Sequence, residues 1–486
     1  MENRREFLKK MTWSGAALAA AGCVGPGKSL FSRPDTMCGF AAPPMDRIRI
    51  GIIGTGGRGT TCGLRFAQFE GVEIAALCDL RPEGPDPLCS RLKEIGHRGA
   101  MKRYVGSTES YKGLCDDPDV DVVYITTPAK FHTEQELYAM RAGKHVFTEV
   151  PGAQGEEQCW EIVETCEKTR RHCMMLENCL YGEEEMLAFT LCHKGILGTL
   201  THGEGSYIHN LTWRNLADSY RNRLKHYDIA VSRGNHYPTH GLGPICAYMD
   251  VNRGDKMDYV VSISSKSAAY REYAAQAYPP NAWQNTGRIE TGDMNTSIIR
   301  TAKGRTIMMQ VDQVTPRPYS RINLIQGTKG CFYDYPLRIT FGPHAGGPNF
   351  KDPGEAWKGK GHEWFDEKRL EEVKREYMHP LYKMAGEVAK KVGGHGGMDF
   401  MMDLRWIYCL ENGLPLDMDV YDLASWSSIV PCSAESDRRG GEPVEIPDFT
   451  RGGWKTAKPV EIGAVDLARM GYKGPGATDD KAKIHY

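Results

Sequence analysis

The residues best suited to chemistry follow the apolar run Ile48-Arg49-Ile50-Gly51-Ile52-Ile53. There Gly54-Thr55-Gly56-Gly57-Arg58-Gly59 spaces three glycines as G-x-G-x-x-G. Gly54 can take a tight turn, and Gly56 has no Cβ to obstruct a pyrophosphate. Gly59 lets the next helix pack close to the strand, whose free N–H groups and positive dipole end then hold the phosphates. A second apolar run, Val72 to Cys78, ends in Asp79, about 20 residues past the last glycine. An acid there accepts hydrogen bonds from ribose hydroxyls and repels a 2′-phosphate, so the pattern predicts NAD rather than NADP. His236 and His240 are four apart, a spacing that raises the question of a metal. No acid lies between them as in H-E-x-x-H, and Pro238 disfavours a regular helix there, so no metal site is expected.

The elements that must position these groups alternate as strand and helix from Asp46 to about Cys173. After Asp79 come a helix around Leu88–Gly96, a strand over Val120–Thr127, a helix over Thr133–Ala142 and a strand over Lys144–Glu149. This rhythm predicts a doubly wound parallel sheet, an α/β Rossmann domain, with ligands at the C-terminal ends of the strands. Thr127 to His132 and Glu149-Val150-Pro151 fall at such ends. Beyond Leu176 the pattern changes. Runs at Tyr259–Ser265, Asn295–Thr301, Thr306–Asp312 and Ser320–Gln326 read as consecutive strands, with Lys303-Gly304 as a hairpin turn. They predict a second, α+β domain with an antiparallel or mixed sheet. Residues 341–375 read as an insertion or long loop. A helix with Phe400, Leu404, Ile407 and Leu410 on one face is stopped by Gly413 and Pro415.

The chain has 486 residues, 41% hydrophobic and 25% charged, with a formal charge of -1. It is long enough for two or three domains and carries no global basic field for nucleic acid. Its fifteen cysteines show no C-x-x-C pair. Cys159, Cys166 and Cys173 recur every seven residues, near one face of a helix, and buried free thiols are expected. Arg4-Arg5 ahead of a modestly apolar stretch, Met11 to Ala21, has the form of a twin-arginine export signal. Ala20-Ala21-Gly22-Cys23 has the form of a lipoprotein box, so a periplasmic protein or one anchored through lipidated Cys23 is expected. Apart from that anchor no run after the N-terminus spans a bilayer. The organisation read from the sequence is signal and linker over 1–45, Rossmann domain over 46–175, substrate domain over 176–455 and a tail over 456–486.

The combination resembles the Gfo/Idh/MocA superfamily of nicotinamide-dependent sugar enzymes, which pair a Rossmann domain with an open-faced sheet. Those proteins usually carry Glu-Lys-Pro after the fifth strand, with the lysine in catalysis; this chain has Glu149-Val150-Pro151. The strings Glu149-Val150-Pro151-Gly152-Ala153, Glu177-Asn178-Cys179-Leu180-Tyr181, Tyr237-Pro238-Thr239-His240-Gly241 and Gly394-His395-Gly396-Gly397-Met398-Asp399 look like glycoside hydrolase family 109. That resemblance runs from about Arg47 to about Lys455. It implies an NAD-dependent α-N-acetylgalactosaminidase in which carbon 3 of the sugar is transiently oxidised. The proton on carbon 2 then leaves, the glycosidic oxygen departs, water adds and carbon 3 is reduced again. A redox-neutral cycle suits an exported protein that cannot replenish cofactor. It dispenses with the paired carboxylates of ordinary glycosidases.

By the same resemblance Tyr181 and His240 are the proton-transfer candidates at carbons 2 and 3, with the base at carbon 2 left open between them. Tyr237 shares their site, and Glu149 orients a proton relay or holds the ribose. Cofactor candidates are Gly54, Gly56, Gly57, Arg58, Gly59, Asp79, Ala129, Lys130, Phe131, His132, Glu149, Val150 and Asn178. Sugar-contact candidates are Tyr207, Arg223, Tyr237, Pro238, Thr239, His240, Tyr319 and His395. The partner is a small glycoside or glycan terminus, and a homo-oligomer is compatible with an open sheet face. The rival readings are a sugar dehydrogenase on the same scaffold and a non-catalytic sugar-binding lipoprotein that retains NAD.

Overall fold

A computed structural model of the chain describes residues 36–97, 99–217, 232–342 and 363–473. The twin-arginine stretch, Cys23, Arg223 and most of the expected insertion lie outside the described residues. Six strands form a parallel sheet: β1 (Ile48–Ile53), β2 (Val72–Asp79), β3 (Lys102–Val105), β4 (Val122–Ile125), β5 (His145–Thr148) and β6 (Cys173–Met175). Their order is β3-β2-β1-β4-β5-β6, so the winding reverses between β1 and β4 and leaves a crevice at their C-terminal ends. β4 and β5 are buried along their whole length, as expected of parallel strands covered by helices on both faces. Those helices are α1 (Gly57–Phe66), α2 (Asp86–Glu94), α3 (Ser110–Asp116), α4 (His132–Arg141) and α5 (Glu156–Thr169).

The glycine loop has the geometry that its spacing predicts. Gly54 sits at φ +91° in the left-handed region, and its carbonyl accepts a hydrogen bond from Thr126 Oγ1 at the end of β4. A Cβ at Gly59 would collide with the Gly54 carbonyl oxygen, which is what brings α1 so close to β1. A Cβ at Gly56 would meet nothing within 4 Å, so the space over the N-terminus of α1 is open.

The second sheet has eight strands in the order β13-β12-β11-β7-β10-β9-β8-β14. These are β7 (Leu200–Ile208), β8 (Met257–Ser264), β9 (Asn295–Thr301), β10 (Thr306–Asp312), β11 (Leu324–Gly327), β12 (Gly330–Tyr333), β13 (Arg338–Phe341) and β14 (Val444–Glu445). β7 and β10 run parallel and the other pairs antiparallel, so the sheet is mixed. The expected strand over Ser320–Gln326 begins only at Leu324. Ile322 and Asn323 take φ of +61° and +46°, which breaks the extended run. Six further helices serve the argument: α6 (Glu183–His193), α7 (Thr239–Tyr248), α8 (Pro380–Val392), α9 (Met398–Asn412), α10 (Val420–Ser427) and α11 (Ile429–Arg438).

Two of these helices join the sheets. On α9, Phe400, Leu404, Ile407 and Leu410 are all buried, and Gly413 ends the helix at φ +62°. Trp406 of α9 packs against Phe66 of α1 and Phe147 of β5, with ring centroids 5.7 and 4.3 Å apart, so one apolar core runs under both sheets. Helix α7 meets β7 backbone to backbone. A Cβ on Gly205 would collide with the Gly241 carbonyl, and one on Gly241 with the Ser206 N–H. This approach sets His240 beside Tyr207.

The packed body extends past both expected boundaries. Met37 and Ala42 are buried, and their N–H groups donate to the Tyr421 hydroxyl at 3.0 Å and to His172 Nε2 at 3.3 Å. Ile462, Val465 and Met470 are also buried, and the Tyr472 hydroxyl donates to Gln68 at 2.9 Å. Apolar side chains therefore dock residues 36–45 and 456–473, which the sequence reading left as linker and tail. Every described cysteine is a free thiol. Cys173, however, lies on β6 and not on the helix that carries Cys159 and Cys166. Among the described residues no helix is long and apolar enough to cross a membrane.

The α7–β7 contact leaves no room for a methyl group, so Gly241→Ala is expected to cost about 1–3 kcal/mol of stability. Urea unfolding of the variant against the parent measures it.

Candidate active site

The apolar strand β6 delivers Glu177, which is completely buried. It caps the short turn Asn178–Tyr181, accepting the Cys179 N–H at 3.0 Å, and its Cγ packs against Gly243 of α7. His240, in the first turn of α7, places Nδ1 2.8 and 3.0 Å from the two Glu177 oxygens. Burial alone would raise the Glu177 pKa, but His240 and the Cys179 N–H hold it below the ordinary glutamate value. An ionised carboxylate only accepts hydrogen bonds, so Nδ1 carries a proton, and in the neutral ring the lone pair is on Nε2. Among the described residues Nε2 has no hydrogen-bond partner.

Aromatic rings surround this imidazole. Tyr237 stands edge-on to His240 at 5.2 Å between centroids, and Tyr207 lies 4.9 Å from Tyr237 and 5.3 Å from His240. Tyr319 meets Tyr207 at 6.2 Å and His209 at 5.3 Å, both edge-on. Tyr319 is 42% exposed, so the cluster opens to solvent on that side. The Tyr319 hydroxyl accepts from Arg321 at 3.0 Å, and Glu185 holds Arg321 in turn. Burial, then Tyr207, Glu177 and Glu149, push the Tyr237 pKa well above the ordinary tyrosine value. Tyr237 is therefore a hydrogen-bond donor and not a base. Its hydroxyl has no partner among the described residues. Pro238 and Thr239 are buried at the start of α7, with Thr239 Oγ1 unpartnered.

The cofactor end is organised by Arg58, on the first turn of α1. It forms an ion pair with Glu149 after β5 and a two-pronged pair with Asp399 of α9, whose second prong is 3.2 Å. Asp399 also accepts from Asn178 at 2.7 Å and pairs with His395 Nδ1 at 3.0 Å. Burial opposes charge on both partners, yet Asp399 and Glu149 hold Arg58 well above its ordinary pKa. Arg58 and Arg65 hold Asp399 well below the aspartate value of 3.8. Asp79 is fixed by the Thr55 N–H at 3.0 Å and hydroxyl at 2.9 Å, and by the Arg81 N–H at 3.0 Å. Ala129, Lys130 and Phe131 form a short turn after β4, with the Lys130 ammonium 5.0 Å from the Phe131 ring. Val150 is half-buried against the core. The open space above Gly56, the bare N-terminus of α1 and the fixed acid at Asp79 suit a dinucleotide.

Three sequence-based assignments change. Tyr181 is fully buried, and its hydroxyl donates to Asp417 at 2.9 Å. Asp417 is gripped by Arg405 through bonds of 2.9 and 2.7 Å. Burial and Asp417 push Tyr181 well above the ordinary tyrosine pKa. Its hydroxyl belongs to a core ion-pair cluster, and the structure does not bring it into proton transfer with His240. His132 turns Nδ1 to the Pro151 carbonyl at 2.9 Å and Nε2 to the Thr127 carbonyl at 2.7 Å, so it braces two loops and offers no ring atom to a cofactor. The Asn178 amide is likewise engaged by Asp399. Sequence reasoning missed Glu177, Asp399 and Arg321. The signal for Glu177 was an acid directly after the apolar run Cys173-Met174-Met175-Leu176.

Residues 48–177 match the model of the oxidoreductase family, NAD-binding Rossmann fold, and residues 181–456 match that of glycosyl hydrolase 109, C-terminal domain. A glycosyl hydrolase family 109 protein of Shewanella pealeana is 41% identical over 467 residues, 95% of this chain and 99% of its own. One from Shewanella sp. strain W3-18-1 is 42% identical over 466 residues, 95% and 98% of the two chains. Among solved structures, an NAD binding oxidoreductase from Klebsiella pneumoniae has a TM-score of 0.62 at 16% identity, covering 83% of this chain and all of its own. Levoglucosan dehydrogenase in complex with NADH and L-sorbose has 0.59 at 19%, with the same coverage. These structures share the fold, and the cofactor of the Rossmann domain is NAD.

Two substitutions test this geometry. Tyr181→Phe removes one core hydrogen bond and is expected to cost about 1–2 kcal/mol in urea unfolding. Turnover should change less than about threefold, whereas His240→Asn should lower it by about 10²–10⁴. Asp399 has a depressed folded pKa, so its stabilisation is complete above 3.8 and is lost as pH falls through the folded value. Asp399→Asn should therefore be less stable than the parent by about 3–5 kcal/mol at pH 7. That gap should narrow as unfolding is repeated at pH values below 3.8.

Proposed function

The chain belongs to glycosyl hydrolase family 109, and from that premise we propose that it removes terminal α-linked N-acetylgalactosamine by a redox-neutral, NAD-dependent route. The observation that carries this reading is the Glu177–His240 pair inside the aromatic cluster. When bound, NAD supplies a reversible oxidant for carbon 3 of the sugar. A ketone at carbon 3 acidifies the proton on carbon 2, because the resulting carbanion is an enolate. The remaining task is to move protons, and His240, the imidazole of the cluster that a carboxylate supports, is the base in this reading. Glu177 stabilises the imidazolium that forms and keeps Nδ1 protonated throughout.

The other residues bind and orient. Tyr207 and Tyr319 offer ring faces and edges to the apolar side of a pyranose, and the Tyr237 hydroxyl donates to a sugar oxygen. Arg58 holds Glu149 as a paired carboxylate. Glu177 and Glu149 are thus both engaged, one by an imidazole and one by a guanidinium. Neither is a free carboxylic acid of the kind that protonates the leaving oxygen in an ordinary glycosidase. Val150, where related dehydrogenases carry lysine, moves no proton, which disfavours simple alcohol oxidation.

The test is to incubate the NAD-loaded protein with an aryl α-N-acetylgalactosaminide in deuterated water. The expected result is hydrolysis with deuterium at carbon 2 and no net NADH. NADH accumulating in step with substrate loss would replace this reading with a dehydrogenase. Glu177→Gln should lower kcat by about 10²–10⁴, because a neutral amide no longer stabilises the imidazolium that forms when Nε2 takes a proton.

A further inference from the structure

Glu177 and Cys179 are separated by one residue on the turn that follows β6, and His240 closes on them from α7. The carboxylate oxygen, the thiol sulfur and Nδ1 all lie within 4.8 Å of one another. Glu177 and Cys179 are buried, 0% and 3% exposed, and His240 borders the cleft. His236, whose spacing from His240 first raised the question of a metal, is not in the group. A tetrahedral zinc site with bonds of about 2.0–2.3 Å has ligand–ligand edges of about 3.3–3.7 Å, so an ion would draw together three atoms that already lie within 4.8 Å of one another. The three ligand types are the thiolate, imidazole and carboxylate that a borderline cation prefers over magnesium or calcium. The frame is rigid, since the Cys179 N–H bonds Glu177 and Gly243 backs it.

We propose that Glu177, Cys179 and His240 form a binding site for a thiophilic divalent cation of the Zn²⁺ class, and that occupancy switches off the base. The switch is a tautomer effect and rests on the reading of His240 as that base. With Glu177 as sole partner, Nδ1 carries the ring proton and Nε2 is free to accept. A cation on Nδ1 displaces that proton to Nε2, which then has no lone pair. The Cys179 thiol gives up its proton to solvent as the sulfur–metal bond forms, while Glu177 remains a carboxylate. One proton is therefore released per ion bound, and no oxidant or reductant is involved.

The experiment titrates the NAD-loaded full chain with CoCl₂ and ZnCl₂ beside Cys179→Ala and Cys179→Ser, the serine variant serving if the alanine one fails to fold. The parent should bind one more Co²⁺ than either variant, with a thiolate-to-cobalt absorption band that the variants lack. Zn²⁺ should inhibit glycoside hydrolysis by the parent, reversibly on adding a chelator. In the variants the inhibitory concentration should rise at least about 100-fold, while metal-free turnover persists. Equal cobalt stoichiometry without a difference in the absorption band, or equal zinc sensitivity, overturns the proposal. A Cys179-dependent cobalt band in a protein inert toward glycosides would uphold the metal site and remove the hydrolase reading. Hydrolysis without that band would do the reverse.

Discussion

A buried carboxylate must be given a partner, and the partner of Glu177 decides the chemistry of the cleft. Glu177 is sealed on one side by Gly243 and capped on another by the Cys179 N–H. Both its oxygens meet the imidazole of His240. Leaving such a charge unpaired in the interior costs several kcal/mol, far more than an imidazole tautomer preference. The protein therefore fixes the proton on Nδ1 as a condition of folding. In the neutral ring this leaves the lone pair on Nε2.

A second pairing does for the two domains what the first does for the imidazole. Arg58 stands on the helix whose N-terminus would face the phosphates, and Asp399 stands in the first turn of α9. Neither charge is tolerable alone in the interior, so each locates the other's helix. Trp406, about two turns further along α9, wedges against Phe66 and Phe147 and holds the same register by apolar contact. Loop, helix and strand end thus reach the cleft in one arrangement.

Much of this was legible in the chain because its signals are local. The glycine spacing gave the turn at Gly54 and the tight approach at Gly59, and alternation in β9 and β10 with the Lys303-Gly304 turn gave a hairpin with the observed ends. Other features depend on partners hundreds of residues away. Tyr181 looks like a site tyrosine from its string, but Asp417, 236 residues later, takes its hydroxyl into the core. Periodicity placed Phe400 and Leu404 on a buried face, yet nothing local distinguishes Asp399 as the mate of Arg58, 341 residues earlier. The left-handed Ile322 and Asn323 cut short a strand whose β-branched and apolar composition reads as continuous.

The same pairings bear on the kind of hydrolysis proposed for this chain. A conventional glycosidase needs one carboxyl group kept neutral and aimed at the leaving oxygen, and such a group must be buried without a cation nearby. Here each carboxylate near the imidazole is held by a positive or proton-donating partner, Glu149 by Arg58 and Glu177 by His240. What the described residues leave is an imidazole paired with a carboxylate, a protonated tyrosine and an adjoining NAD domain. An arrangement with no strong acid can still break a C–O bond if the neighbouring C–H is first made acidic. The transient oxidation proposed above is a route of this kind.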